Sequence, residues 1–282
     1  MPVLERIGVT GVTGSGKSYQ WLKLAEVLLP TGAIFRCLDT DNSIGYMLET
    51  QFPHLKPENR GNVLVHNAYD WPNYKLGVDW IQRKIRVAAD VDKLPLLLKQ
   101  DYAKPLKLND WTIVDMADMA WSTVQRYFVD EVFGEDMGDY FLQIRKEIQA
   151  GTRRTRGGGS TIAEGLDGWK DWSVINKLYD DWILPIIYRI QTHVYMTTKV
   201  NRLERTEKDA SLVSLYGDLG IRLAGQKNLG HQMHTLFLFV PGRDFWQITT
   251  IKDRGGRTYF NKVRLSSFFM QYLVAKAGWP MV

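Results

Sequence analysis

The stretch GVTGSGKS, residues 11–18, brings three glycines, a lysine and a serine together in the spacing G-x-x-x-x-G-K-[ST]. It follows an apolar run and opens a segment of helical periodicity, the context in which such a loop wraps phosphate. Gly11, Gly14 and Gly16, with the amide of Ser15 among them, allow backbone N–H groups to close on phosphate oxygens without a Cβ in the way. The helix that follows adds the positive end of its dipole. Lys17 is spaced to reach the β- and γ-phosphates of ATP, and Ser18 to ligate Mg²⁺. A loop of this kind needs a second acidic group to hold the cation's water shell, supplied from the end of a buried strand. The run WTIVD offers Asp115, and Asp118 follows as a weaker alternative.

These residues need a sheet to hold them. Short apolar, β-rich runs at 5–10, 33–38, 62–66, 111–114, 193–198, 235–240 and 245–251 read as strands. Segments 17–29, 73–90 and 117–133 read as helices, and Pro30 ends the first. Between 172 and 190, Trp172, Ile175, Tyr179, Trp182, Ile183, Ile186 and Ile190 recur at spacings of three and four, an apolar stripe suited to packing on a sheet, with a kink expected at Pro185. Strands alternating with helices predict an α/β fold with a mostly parallel sheet. The Gly- and Arg-rich segment GTRRTRGGGS, residues 151–160, reads as a mobile loop within one domain, because strands on both sides of it are needed to complete the sheet.

Composition sets wider bounds. The 282 residues, 45% hydrophobic and 24% charged, describe a globular chain with a sizeable core. Thirty-six basic against 31 acidic residues give a net charge of +5, too mild an excess to imply a polyanionic partner by itself. The single cysteine, Cys37, cannot form an internal disulfide, so a reducing, cytoplasmic compartment is expected. No run of about 18 apolar residues predicts a membrane span. His231 and His234 lack acidic or cysteine partners in the sequence and read as structural.

Over about residues 3–265 the order of motifs resembles the RecA-like ATPases, the group of recombinases such as RadA and of the DnaB-type helicase core. The phosphate loop comes first. The strand after its helix ends CLDTD, where Asp41 falls on the position of the catalytic acid that orients the attacking water, an aspartate where the recombinases carry a glutamate one methylene longer. HVYMTTK resembles the strand that senses the γ-phosphate, with Thr198 where the recombinases have glutamine. Last, two antiparallel-looking strands close with ITTIKDRGGR, whose Lys252 and Arg254 match the family's Lys-x-Arg or Lys-x-Lys pair. The resemblance implies a RecA-like αβα sandwich over 1–265, antiparallel at its C-terminal end, with 266–282 as an extension. It also implies ATP and Mg²⁺ as cofactors and a homo-oligomer in which the basic pair reaches the neighbour's γ-phosphate.

The family's DNA-contacting loops correspond here to two segments. One, near 150–168, carries Arg153, Arg154 and Arg156; the other, near 199–220, carries Lys199, Arg202, Arg205 and Lys208. Basic residues on Gly-rich loops can follow a phosphate backbone, so DNA, most simply single-stranded, is the expected partner. A solvated excursion and a kinase-like lid stay open as readings of the first loop. The chain's compactness resembles short phage-encoded ATPases of recombination and annealing. A helicase or DNA-packaging motor would share every motif, whereas a P-loop kinase or nucleotide switch would keep Lys17 and Asp115 without a use for Lys252 and Arg254.

Overall fold

The computed structural model describes residues 4–134, 136–150, 168–204, 207–255 and 260–265. Ten strands run in chain order: β1 Arg6–Gly11, β2 Phe35–Asp39, β3 Val63–Asn67, β4 Trp111–Asp115, β5 His193–Thr198, β6 Val200–Arg202, β7 Ile221–Leu223, β8 Thr235–Pro241, β9 Trp246–Asp253 and β10 Val263–Leu265. Eight of them form one sheet in the order β10-β9-β8-β1-β5-β4-β2-β3, and β6 and β7 pair antiparallel beside it. The strands from β8 to β3 in that order are parallel, while β9 runs antiparallel to β8 and to β10. The α/β architecture expected from the sequence, parallel for most of its width and antiparallel at the C-terminal end, is therefore the observed one.

The helices are α1 Lys17–Leu28, α2 Ile44–Thr50, α3 Trp71–Gln82, α4 Ala88–Asp92, α5 Leu96–Tyr102, α6 Ala117–Phe133, α7 Met137–Gln149, α8 Gly168–Tyr188, α9 Ala210–Tyr216 and α10 Leu229–Gln232. Side-chain alternation along the strands distributes them over two faces. Leu38, Val114, Val194, Met196 and Leu236 face a cluster built with α3, α6 and α8. Their neighbours Cys37, Ile113, Tyr195 and Phe237 face the opposite cluster, where α1 packs with Trp21, Leu22 and Ala25. Burial inside that second cluster pushes the Cys37 thiol up in pKa, so it stays protonated and inert.

Local chemistry explains most boundaries. Asp70 caps α3 by accepting from the Asn73 amide at 2.8 Å, and Pro72 sits in the first turn where its missing N–H costs nothing. The helix expected to reach residue 90 stops at Arg83, which turns left-handed at φ 59°. Pro185 falls in the last turn of α8, so the helix simply ends three residues later rather than kinking midway. The segment after α3 belongs to the core of the fold: buried Arg36 on β2 holds Asp101 of α5 at 2.7 Å and Asp110 at 2.8 Å, and Arg83 adds a third contact to Asp101 at 2.9 Å.

Candidate functional site

The loop of residues 11–18 leaves the carboxyl end of β1 in the middle of the sheet, the place where parallel α/β sheets open a crevice. Gly14 and Gly16 adopt φ 79° and 83°, left-handed values that orient successive N–H groups toward one concavity. A Cβ on Gly11 would lie 2.4 Å from Ser15 Oγ, and one on Gly16 would lie 2.5 Å from Trp246 Nε1, so two of the motif's glycines are fixed by close approach. Lys17 is buried and its Nζ donates to the carbonyls of Gly11 at 2.9 Å and Val12 at 3.0 Å. Burial lowers its pKa, opposed by the charges of Asp115, Asp118 and Asp41. Ser15 Oγ is buried with no hydrogen-bond partner.

Asp115 closes β4 in full burial, with β5 lying between its strand and β1. Its carboxylate accepts from Trp21 Nε1 of α1 at 2.9 Å, from the Thr197 hydroxyl of β5 and from the Ser18 side chain. Burial raises its pKa, and those three donors pull it back. Ser18 and Asp115 are thus in contact, as a cation held between one hydroxyl, one carboxylate and phosphate oxygens requires. The unpartnered Ser15 hydroxyl, the glycine concavity and a lysine held only by loop carbonyls all fit a nucleotide's phosphates. Among the described residues there is no cluster of three or more His, Cys, Asp or Glu side chains suited to a metal.

The remaining carboxylates divide by exposure. Asp39, directly opposite Asp115 in the β2–β4 register, is buried and accepts from the amides of Ile44 at 3.0 Å and Ser43 at 3.3 Å, capping α2. Burial, reinforced by the charges of Asp115 and Asp41 and opposed by the Ile44 amide, raises its pKa to about 7. Asp41 is exposed beyond it and accepts only a long contact from the Ser43 amide at 3.3 Å. Asp118 is buried, accepts from the Lys199 amide at 3.2 Å and is raised in pKa by burial. Thr198 has a buried hydroxyl with no partner, whereas its neighbour Thr197 makes the bond to Asp115.

Three site residues escape a reading of the sequence: Thr197, Trp21 and Trp246. Thr197 is one position from a residue that the sequence does single out, and strand alternation decides which threonine faces Asp115. Trp21 lies one helical turn after Lys17, where α1 passes the end of β4. Trp246 opens β9 and packs its indole on Gly16 and on Tyr19, with the Tyr19 and Trp246 ring centroids 5.4 Å apart. No local sequence signal connects residue 246 to residue 16.

Lys252 and Arg254 occupy the other edge of the sheet. Thr235 pairs with Ile7 and with Asp253, while Phe239 pairs with Gly11, so the basic pair lies about 13 Å of strand behind the phosphate loop. Lys252 Nζ donates to the carbonyls of Gly230, His231 and Met233 at 3.1, 2.8 and 2.7 Å, and Arg254 Nη2 donates to His231 at 2.9 Å. Burial and the Arg254 charge lower the Lys252 pKa to about 8, against three acceptors that favour its charged form. Arg254 is exposed.

Of the expected DNA contacts, Arg153, Arg154, Arg156 and Arg205 lie outside the described residues. Lys199 is exposed at the start of the excursion beyond β5, and Arg202 is exposed on β6. That excursion, expected as a loop, carries β6, α9 and the turn into β7.

A central phosphate loop, an acid two strands away on β4 and a C-terminal antiparallel edge complete one pattern. The fold is a RecA-like αβα sandwich. No protein-family model matches the chain, and no curated protein matches it in sequence. Among solved structures it is similar to the RadB recombinase, at 12% identity and a TM-score of 0.46 over 93% of this chain and 86% of that one. It is similar to the ATPase domain of a helicase at 7% and 0.45, over 96% and 82% of the two chains. The flagellar accessory protein FlaH from Methanocaldococcus jannaschii follows at 10% and 0.38, over 92% and 84%. Likenesses this distant assign no activity. Among the described residues no helix is long and apolar enough to cross a membrane.

Proposed function

We propose that the chain is a Mg²⁺-dependent ATPase that works as an oligomer on DNA, single-stranded by preference, in recombination, annealing or repair. The observation that carries this reading is the contact of Ser18 with a fully buried Asp115 beside a glycine concavity and a lysine parked on its own loop. In the bound state Lys17 moves from the Gly11 and Val12 carbonyls to the β- and γ-phosphates. Ser18 and Asp115 hold the cation, which neutralises charge developing on the phosphates. Thr197 and Trp21 keep the Asp115 carboxylate oriented. Asp41, exposed beside this cluster, is the group available to orient water, and Thr198 has an uncommitted hydroxyl at the adjacent strand end. Lys199 and Arg202 would meet the DNA backbone together with Arg153, Arg154 and Arg156. Arg254 acts on the neighbouring subunit's nucleotide, with Lys252 anchoring it.

Steady-state ATP hydrolysis tests the reading. Turnover should rise with single-stranded DNA, grow more than proportionally with protein concentration and fade with salt as counterions compete for the phosphate contacts. Lys17→Ala should abolish it. Turnover that ignores both DNA and protein concentration would instead fit a kinase or switch, and turnover unchanged in Lys17→Ala would remove the phosphate site.

A further inference from the structure

A second concavity of about 520 Å³ lies between α6, α8 and the segment that follows β7. It falls within the range of small-ligand sites. Trp121 and Trp172 line it as a stacked pair, ring centroids 6.3 Å apart and planes 22° apart, and both remain partly exposed. Asn176 and Gln226 form a fixed amide wall: Gln226 Nε2 donates to Asn176 Oδ1 at 3.4 Å, and Gln226 Oε1 accepts from the Asn228 amide at 2.6 Å. Asp180, one turn after Asn176, also lines the cleft, and its Oδ1 is buried with no hydrogen-bond partner.

The charge in the lining selects the kind of ligand. Arg222 and Lys227 are offset by Asp180 and Asp209, so the cleft has no net attraction for a phosphate. What it offers is a flat aromatic wall and a buried acceptor that lacks a donor. A planar ring bearing an amino group satisfies both. We infer that this cleft receives an unstacked, amino-bearing nucleobase of the bound DNA strand, stacked against the Trp121–Trp172 pair with its exocyclic amine donating to Asp180. Adenine, cytosine and guanine carry such an amine and thymine does not. This inference rests on the DNA-binding reading above.

The cleft is also joined to the phosphate site. Gly225 lies against Asp118, whose Cα is 3.0 Å from where a Gly225 Cβ would stand. The Ala224 amide donates to the Lys199 carbonyl at 2.8 Å, and the Lys199 amide to Asp118. An occupied cleft therefore presses on the same segment that borders the nucleotide.

The test is the anisotropy of labelled oligo-dC, oligo-dA and oligo-dT titrated with the full chain at fixed salt. The wild type should bind oligo-dC and oligo-dA at least about fivefold tighter than oligo-dT, the lower end of what one stacked base contributes. Trp172→Leu should bring the tight binders down toward oligo-dT. Asp180→Asn, isosteric and on a half-exposed residue, should erase the preference without loss of oligo-dT binding, and it keeps the test open if Trp172→Leu fails to fold. Equal affinity for the three oligomers, or a preference that survives Asp180→Asn, overturns the cleft and leaves DNA binding standing. Failure of all three oligomers to bind takes down the DNA-binding reading and the cleft with it.

Discussion

Asp39 shows how a single buried carboxyl records the electrostatics of the site. Its pKa rises from 3.8 to about 7 because it is buried opposite Asp115 and near Asp41, while the Ile44 amide opposes the shift. Between about pH 4 and pH 7 the folded chain therefore keeps a proton that the unfolded chain releases. The sign follows: this group's contribution to stability is greatest below about pH 4, declines through that window and is lowest above about pH 7. Asp39→Asn keeps an oxygen for the Ile44 amide and removes the titration. Compared with the wild type, the variant should gain stability as pH rises from about 5 to about 8, read as urea midpoints of nucleotide-free protein. Parallel midpoints for the two proteins would show that Asp39 is not the group responsible.

At the scale of elements, β9 is where two of the expected functional residues prove to have unequal structural roles. Lys252 ties β9 to the end of α10 through three carbonyls, whereas Arg254 shares only the His231 carbonyl and stays exposed. Lys252→Met should destabilise the fold by about 1–3 kcal/mol, since it strands carbonyls that a charged donor had satisfied. Arg254→Ala should change stability by no more than about 0.5 kcal/mol while lowering turnover. Thermal melts beside ATP hydrolysis separate the two, and equal losses of stability would refute the division. The same strand marks how far sequence reading reaches. All seven expected strands are present, because runs such as HVYMTT and TLFLFV carry buried β-branched and aromatic residues that pattern reveals. The short strands β6, β7 and β10 and the helices α2, α4, α5, α9 and α10 were not legible, being three to seven residues long and held by tertiary contacts. The phosphate loop was readable from spacing alone. Its partners Thr197 and Trp246 were not, since their roles depend on which side of a strand each faces and on contacts spanning most of the chain.

For the whole molecule, the decisive geometry is the separation of the phosphate loop from the Lys252–Arg254 pair on opposite edges of one sheet. The register Ile7–Thr235–Asp253 sets the pair at the amino edge, and Gly11–Phe239 sets the loop at the carboxyl edge. Arg254 points to a carbonyl at the amino edge, so it cannot reach its own nucleotide while β8 and β9 stay paired. If Arg254 serves catalysis at all, it serves a neighbour. That makes complementation the proper test: a Lys17→Ala subunit has no working phosphate site but an intact arginine, and an Arg254→Ala subunit has the converse. Mixed in equal amounts, the two inactive proteins should recover turnover, up to about one quarter of wild type if subunits assemble at random and each active interface needs one intact partner on each side. Recovery should vanish on dilution below the assembly concentration, because the completed site exists only between chains. A mixture as inactive as its parts, at concentrations where light scattering shows co-assembly, would mean that Arg254 only braces the end of α10, and that the neighbour-acting role belongs to another residue.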